Sequence, residues 1–409
     1  MPVLLIGTLD TKGQEVDFVR DRLREAGVET IVLDAGVLGA PSIQADIARE
    51  EVFRAAGSEL ERIREAKDRG QAVEKAAEGA RRIALDLLAQ GKIDGIIGLG
   101  GSAGTTIATA AMRALPFGLP KLMVSTLASG QVRQYVGVRD IMMLHSVVDI
   151  SGLNRISRTV LWNAALAMAG MVKKTAACPE NTGYPAKRML AATMFGVTTP
   201  CVETARQALE ASGFEVLVFH ATGTGGMTME SFILDGLIEG VLDVTTTELA
   251  DELVGGILSA GPDRLTAAAI TGIPQVISLG ALDMVNFGPP ETVPEKFRHR
   301  RFYQHNPTVT LMRTTPEEND RLGKEIAQKA SAAKGPTAVF VPLRGLSAID
   351  AEGQPFWDPE ADAALFQSLR NWISPRVELI ELDLHINDPA FSAALANKLL
   401  TYMAKRSCV

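Results

Sequence analysis

The sequence predicts an α/β protein of two doubly wound units, each a mainly parallel sheet with helices on its faces, and three observations lead there. Short apolar runs alternate with helical patterns along nearly the whole chain, the arrangement that yields parallel sheets covered by helices. A length of 409 residues exceeds what one core usually supports, so two domains of roughly 200 residues are expected. Between two such series, Cys178-Pro179-Glu180-Asn181-Thr182-Gly183-Tyr184-Pro185 has the composition of a linker. The first domain is therefore expected over 1–178, the linker over 179–187 and the second domain over 188–409.

In the first domain the apolar runs place strands over 3–8, 30–34, 93–98, 121–125 and 141–148. Helical spacing of apolar residues places helices over 15–26, 106–115 and 154–172. A charged helical insertion, 58–90, contains Glu61-Arg62-Ile63-Arg64-Glu65, whose opposite charges at helical spacing read as a solvated face. In the second domain strands are expected over 188–194, 215–220, 240–244, 274–279, 308–313, 337–342 and 377–384. Helices over 202–212, 227–238, 248–257, 316–333, 359–372 and 389–403 alternate with them.

Composition narrows the function classes. A content of 46% hydrophobic and 22% charged residues is that of a globular protein, and a net charge of -7 provides no general attraction to nucleic acid or anionic membrane. Cys178, Cys201 and Cys408 form no CxxC pair, which fits a reducing compartment. The opening residues lack a basic leader, and no run approaches the ~20 apolar residues of a membrane span. A cytoplasmic protein is expected. The chain contains no HExxH motif or paired-cysteine zinc pattern.

The strongest local signal is Gly98-Leu99-Gly100-Gly101-Ser102-Ala103-Gly104-Thr105-Thr106, read as strand, glycine-rich turn and helix. Glycine allows close approach to a ligand, and the free N–H groups of a helix N-terminus favour an anion such as phosphate. The run lacks the lysine of a GxxxxGK[ST] loop and does not fit a dinucleotide fingerprint. In a sheet wound 2-1-3-4-5, the loop Thr8-Leu9-Asp10-Thr11-Lys12-Gly13 would lie beside it at the point where strand order reverses. Lys12 could then supply the missing point charge, and Asp10 could hold Mg²⁺ bound to phosphates. Helix capping by Asp10 or Thr11 accounts for the same residues. Asp34 ends the second strand, where an acidic group can meet a ribose hydroxyl, though Asp34-Ala35-Gly36 is also a common turn. Ser125-Thr126-Leu127-Ala128-Ser129-Gly130 adds hydroxyls near the same edge.

A second glycine turn, His220-Ala221-Thr222-Gly223-Thr224-Gly225-Gly226, suits an anion as well. Ser278 to Gly288 follows a later strand and leads into a long polar loop, so several strand ends could form a second crevice. His299 and His305 are set among Arg298, Arg300 and Arg301, a poor metal site and a candidate anion-contacting loop. Asp383, His385 and Asn387 alternate and would share one face of a strand. That face could serve acid/base or metal chemistry, or tie neighbouring loops together.

Taken together, Leu5 to Gly13, Gly98 to Thr106, His220 to Gly226, Ser278 to Gly288, Pro342-Leu343-Arg344-Gly345, Pro355-Phe356-Trp357-Asp358 and His385-Ile386-Asn387-Asp388-Pro389 resemble one family across essentially the whole chain. It is that of the ATP-binding inhibitory domain of the tomato mosaic virus resistance protein and its bacterial homologues. The resemblance implies two Rossmann-like subdomains with a cleft between them, homodimerisation and ATP binding. The plant domain's capture of a viral protein is not carried over, nor is the TIM barrel that follows it in plants. The resulting expectation is a cytoplasmic, homodimeric, nucleotide-binding protein. Its cofactor is ATP, with or without Mg²⁺, contacted by Thr8, Asp10, Thr11, Lys12, Gly100, Gly101, Ser102, Gly104, Thr105 and Thr106, or by Thr222, Gly223, Thr224, Gly225 and Gly226. Two alternatives stay open. One is an enzyme acting on a carbonyl or carboxylate metabolite at the interdomain cleft through residues such as His220, Asp283 or His385; the other is an interaction module stabilised by nucleotide.

Overall fold

The computed structural model describes residues 2–177 and 187–406. The chain divides into two compact units, Met1–Pro185 and Ala186–Val409. Apart from Lys187, the linker expected over 179–187 lies outside the described residues, as do Cys178 and Cys408.

The first unit runs β1 (Val3–Gly7), α1 (Leu9–Glu25), β2 (Thr30–Asp34), α2 (Arg49–Ala55), α3 (Leu60–Ala66), α4 (Arg69–Ala89), β3 (Gly95–Gly100), α5 (Ser102–Ala114), β4 (Lys121–Ser125), α6 (Arg133–Val136), β5 (Met142–His145) and α7 (Arg155–Ala177). Its five strands are all parallel, in the order β2-β1-β3-β4-β5. Side chains alternate across the sheet, and both faces are covered. Leu4, Ile6, Leu33, Ile96 and Met123 pack on Ala76, Ala80 and Ala84 of α4 and Ile107, Ala108 and Ala111 of α5. Val3, Leu5, Val32, Ile97, Leu99 and Val124 pack on Val16, Val19 and Leu23 of α1 and Leu161, Met168 and Val172 of α7. Double coverage explains why these strands read as unbroken apolar runs.

The second unit runs β6 (Met189–Met194), α8 (Thr199–Ala211), β7 (Glu215–His220), α9 (Thr224–Leu234), β8 (Gly240–Thr245), α10 (Glu248–Val254), α11 (Ala267–Thr271) and β9 (Gln275–Gly280). There follow β10 (Met284–Phe287), β11 (Phe302–Asn306), β12 (Val309–Arg313), α12 (Pro316–Ser331), β13 (Thr337–Pro342), α13 (Pro359–Trp372), β14 (Glu378–Leu382) and α14 (Pro389–Arg406). Six parallel strands form the sheet β14-β13-β9-β8-β6-β7. Counted along the chain, this winding repeats that of the first unit with one strand more. Helices α8 and α14 cover one face through Val202, Leu209, Phe391 and Leu399. The other face is covered by α9 and α11 around Val241, and by α12 and α13 around Ile277 and Val339.

Several expectations need correction. Residues 281–307 are not one long loop, because β10 and β11 flank β12 in a three-stranded antiparallel sheet. β10 is only four residues long and β11 is largely exposed, so neither shows an alternating signature. The helical insertion expected over 58–90 consists of two helices, α3 and α4, and a further helix, α2, precedes it. Asp383, His385 and Asn387 lie beyond the end of β14 and not along a strand face. Asp383 pairs with Arg344 at 2.7 Å, the His385 ring lies 2.9 Å from the Ser347 carbonyl, and Asn387 donates to the Val197 carbonyl at 2.9 Å. These residues tie loops together.

Helix packing in the first unit depends on a missing side chain at Gly79, where a Cβ would fall 1.9 Å from the Val52 carbonyl oxygen. Gly170, within α7, has open space around it. Gly79→Ala is expected to destabilise the protein by about 2 kcal/mol through overpacking. Gly170→Ala should stabilise it by roughly 0.5–1 kcal/mol through helix propensity. Urea denaturation followed by circular dichroism checks both signs.

Candidate functional site

A cavity of about 610 Å³ opens at the carboxyl ends of β1, β2 and β3. This is where β1 and β3 lead to helices on opposite faces of the sheet, the position at which doubly wound sheets bind ligands. Its floor is built by Thr8, Asp10, Thr11 and Lys12 after β1, and by Gly100, Gly101, Ser102, Ala103 and Gly104 after β3. The volume lies within the range of small-molecule sites.

The segment expected as a loop after β1 is mostly helical: Thr8 is the N-cap of α1, which begins at Leu9 and kinks at Lys12. The Thr8 and Thr11 hydroxyls are 2.8 Å apart. Lys12 Nζ donates to the Ile150 carbonyl and also lines the cavity. Asp10 is engaged elsewhere. One of its oxygens accepts from the N–H groups of Val37 at 3.1 Å and Leu38 at 2.8 Å, and Arg49 lies 3.9 Å from it. Asp10 therefore holds the loop after β2, not an open metal position. Asp34, expected as a ribose contact, is 1% exposed and accepts from Leu9 N–H, Gly36 N–H and Arg49 Nε at 2.7–3.0 Å.

After β3, the turn needs its glycines. A Cβ on Gly100 would meet Gly104 Cα at 2.6 Å, whereas one on Gly101 would meet only Thr126 Oγ1, at 3.6 Å. Gly101 is the N-cap of α5. The N–H groups of Ser102, Ala103 and Gly104 have no acceptor within the helix, and none meets them elsewhere among the described residues. The expected run is too long at its far end. Thr105 is fully buried with its hydroxyl 2.7 Å from that of Ser125, and Thr106 bonds the Ser102 carbonyl and faces a groove shared with Arg81 and Arg113. Helical rotation turns both away from the cavity.

The remaining wall was not legible as a site. Ile63, Arg64, Lys67, Asp68, Arg69, Ala72 and Val73 line the cavity from α3, α4 and the turn between them. Arg64 Nε donates to the Val37 carbonyl at 2.7 Å, which draws α3 over the loop after β2. The available signal was the break in helical pattern at Lys67-Asp68-Arg69-Gly70, which sets two cations on one turn just after Arg64.

The rival turn after β7 is different in kind. Gly223 caps α9, and the N–H groups of Gly223 and Gly226 donate to Glu248 Oε1 at 2.7 and 3.0 Å. A Cβ on Gly226 would fall 2.1 Å from that carboxylate. Glu248 is itself fully buried and accepts from Arg264 Nε at 2.7 Å. Burial raises the Glu248 pKa against the pull of Arg264 and the two N–H groups. Burial alone would lower the Arg264 pKa, yet Asp243, Glu248 and Glu230 hold it well above its usual value. The anion expected from outside at Thr222–Gly226 is thus supplied by the protein itself. Thr222 Oγ1 turns back to the His220 carbonyl at 3.3 Å.

His299 and His305 are exposed, and their neighbours Arg300 and Arg301 pair with Glu318 at 2.6 Å and Asp358 at 3.4 Å. Asp283 is fully buried and accepts from the Ser347 hydroxyl at 2.8 Å. It shares the single Arg313 guanidinium with Asp350 and Asp362, the latter at 2.6 Å. Burial lifts Asp283 to about 6 and Asp350 and Asp362 to about 7.

A family model described as the N-terminal domain of an uncharacterised protein family, UPF0261, matches residues 1–177, and the model of that family's C-terminal domain matches residues 187–403. A UPF0261 protein of Clostridium tetani is 54% identical over 404 residues, covering 98% of this chain and 99% of its own length. The ToMV resistance protein Tm-1(GCR237) of Solanum lycopersicum is 39% identical, covering 98% of this chain and 56% of the tomato protein. A solved UDP-GlcNAc 2-epimerase from Neisseria meningitidis, bound to UDP-GlcNAc, aligns over 98% of this chain and 100% of its own. Its identity is 12% and the TM-score 0.24, so nothing about the site follows from it.

The Arg313 cluster makes stability depend on pH in a defined direction. An unfolded Asp loses its proton near 3.8, whereas Asp350 keeps its proton in the native state up to about 7. Between these values the native state binds more protons than the unfolded one, so the cluster's contribution to stability falls as pH rises from about 4 to 7. Asp350→Asn is expected to flatten this slope, measured as the urea midpoint across that range; an unchanged slope would refute the assignment.

Proposed function

The chain belongs to the UPF0261 family, and from that footing we propose that it binds a nucleotide, ATP first among them, in the cavity at the ends of β1, β2 and β3. The observation that carries this reading is the contrast between the two glycine turns. The turn after β7 already holds a carboxylate, while the turn after β3 presents three unpaired N–H groups on the wall of a cavity. Helix N-termini of this kind favour phosphate. Lys12, on the same wall, supplies the point charge that the turn itself lacks.

ATP as the ligand is supported by the resemblance to the ATP-binding inhibitory domain, and so is a homodimer. Asp10 is committed to the loop after β2 and would not serve as a ligand of Mg²⁺ accompanying the phosphates. A cytoplasmic location is part of this reading, following from the sparse, unpaired cysteines of the sequence; among the described residues no helix is long and apolar enough to cross a membrane. The resistance named for the tomato protein stays with that protein. Here the nucleotide acts as ligand of a metabolic or regulatory dimer.

Calorimetric titration with ATP tests the site. Gly101→Val puts a side chain into the cavity at a backbone position that accepts one, with φ of -82°. At least a tenfold loss of affinity is expected, about 1.4 kcal/mol or more, with little change in unfolding midpoint. Lys12→Ala should weaken binding in a salt-dependent manner. Unchanged affinity in both variants would dispose of the site, and sedimentation of the wild type as a monomer would dispose of the dimer.

A further inference from the structure

We propose that the preferred ligand carries a second phosphate on its ribose, and that Arg64, Lys67 and Arg69 receive it. The inference rests on the nucleotide reading above and narrows it: ATP is one occupant of the cavity, and a nucleotide phosphorylated on its ribose is the tighter one. In doubly wound nucleotide sites the ribose lies towards the end of the second strand. There an acidic side chain accepts its hydroxyl protons, or a cation accommodates a phosphate in their place.

The acidic option is closed in this chain. Asp34 stands at the end of β2, but Oδ1 accepts from the N–H groups of Leu9 and Gly36 and Oδ2 accepts from Arg49 Nε. The Asp10 side chain is 4% exposed and its Oδ2 is taken by Val37 and Leu38. Neither carboxylate is disposed to accept from a sugar.

What the end of β2 does present is positive charge. Arg64 is pinned there by its bond to the Val37 carbonyl. Lys67 and Arg69 line the same cavity, and neither has a carboxylate partner among the described residues. Asp68, between them, spends Oδ1 on the N–H of Gln71 as the cap of α4. Lys67 also occupies a left-handed backbone position, with φ of 50°, at the end of α3. Glycine or asparagine is the favoured residue for that geometry. A lysine there, on the lining of the cavity, is held against local preference.

The cavity therefore has two anion-receiving regions on different elements, the start of α5 with Lys12 and the turn between α3 and α4. The wall they share with Val37, Ile63 and Val73 is apolar, as a base requires. A ligand with one phosphate chain would satisfy only the first. A nucleotide phosphorylated on the 2′ or 3′ oxygen of the ribose satisfies both.

The test compares the full chain's affinity for AMP, ATP and the two adenosine bisphosphates that carry the extra phosphate on the 2′ or the 3′ oxygen, by calorimetry at two salt concentrations. One bisphosphate is expected to bind at least about tenfold tighter than AMP, the gain of charge-assisted hydrogen bonds, and to lose that margin at high salt. Lys67→Gly combined with Arg69→Ala should bring the two affinities together, and glycine suits the left-handed position, so the fold is preserved. Two results overturn the proposal while leaving nucleotide binding intact: bisphosphates no tighter than AMP, or a margin that survives the double substitution. A gain for ATP alone assigns the cations to a terminal phosphate and overturns it also. Failure of every nucleotide to bind would remove the parent reading with it.

Discussion

The geometry of the candidate site depends on one buried carboxylate, Asp34. Its oxygens bind the first N–H of α1, the N–H of the turn after β2 and the guanidinium of Arg49 at the start of α2. Arg49 in turn donates to the Gly39 carbonyl at 2.6 Å. A single side chain thus sets where α1 begins, how the chain leaves β2 and where the helical insertion starts. The pair is nearly inaccessible to water, so loss of either partner leaves an unpaired buried charge at a cost of about 3–5 kcal/mol. Asp34 is a carboxylate that organises the site without being offered to a ligand.

The second unit repeats the winding but fills the equivalent region differently. At the ends of β6 and β8, Arg264 joins Asp243, Glu248 and Glu230, and Thr193, Thr198 and Thr245 complete the hydrogen bonding. Where the first unit has a cavity with cations around it, this region of the second has a closed ionic network. The two sheets share a topology and differ in whether their strand ends are open. The absence of a free donor at Gly223 and Gly226 follows from that difference.

The sequence made the fold legible because strands buried on both faces leave continuous apolar runs. Glu215–His220, Thr337–Pro342 and Pro359–Trp372 coincide with expectation for that reason or because proline starts the helix. Gly100 to Gly104 and Thr8 to Lys12 were legible as partners through the rule that places ligands where strand order reverses. Thr105 was not separable from Gly104, since one step of helical rotation decides between core and cavity. Glu248 lies 25 residues from Gly223, and nothing local reveals that its carboxylate closes the turn. The cations of the insertion were hidden by composition: Glu61 to Glu65 reads as a solvated helix, yet Arg64 reaches the cavity from α3 and the turn that follows brings Lys67 and Arg69 to it.

Glu248 can also be regarded as a tethered ligand. A carboxylate fixed on the same chain competes for the N–H groups of Gly223 and Gly226 at an effective concentration set by the fold and independent of the surroundings. The N–H groups of Gly223 and Gly226 are therefore occupied whatever the surrounding phosphate level, whereas those of Ser102, Ala103 and Gly104 have no internal competitor among the described residues. Of two glycine turns that look alike in sequence, one is closed by its own chain as a fixed part of the scaffold, and under the proposed function the other is the part of the molecule that would report on metabolite concentration.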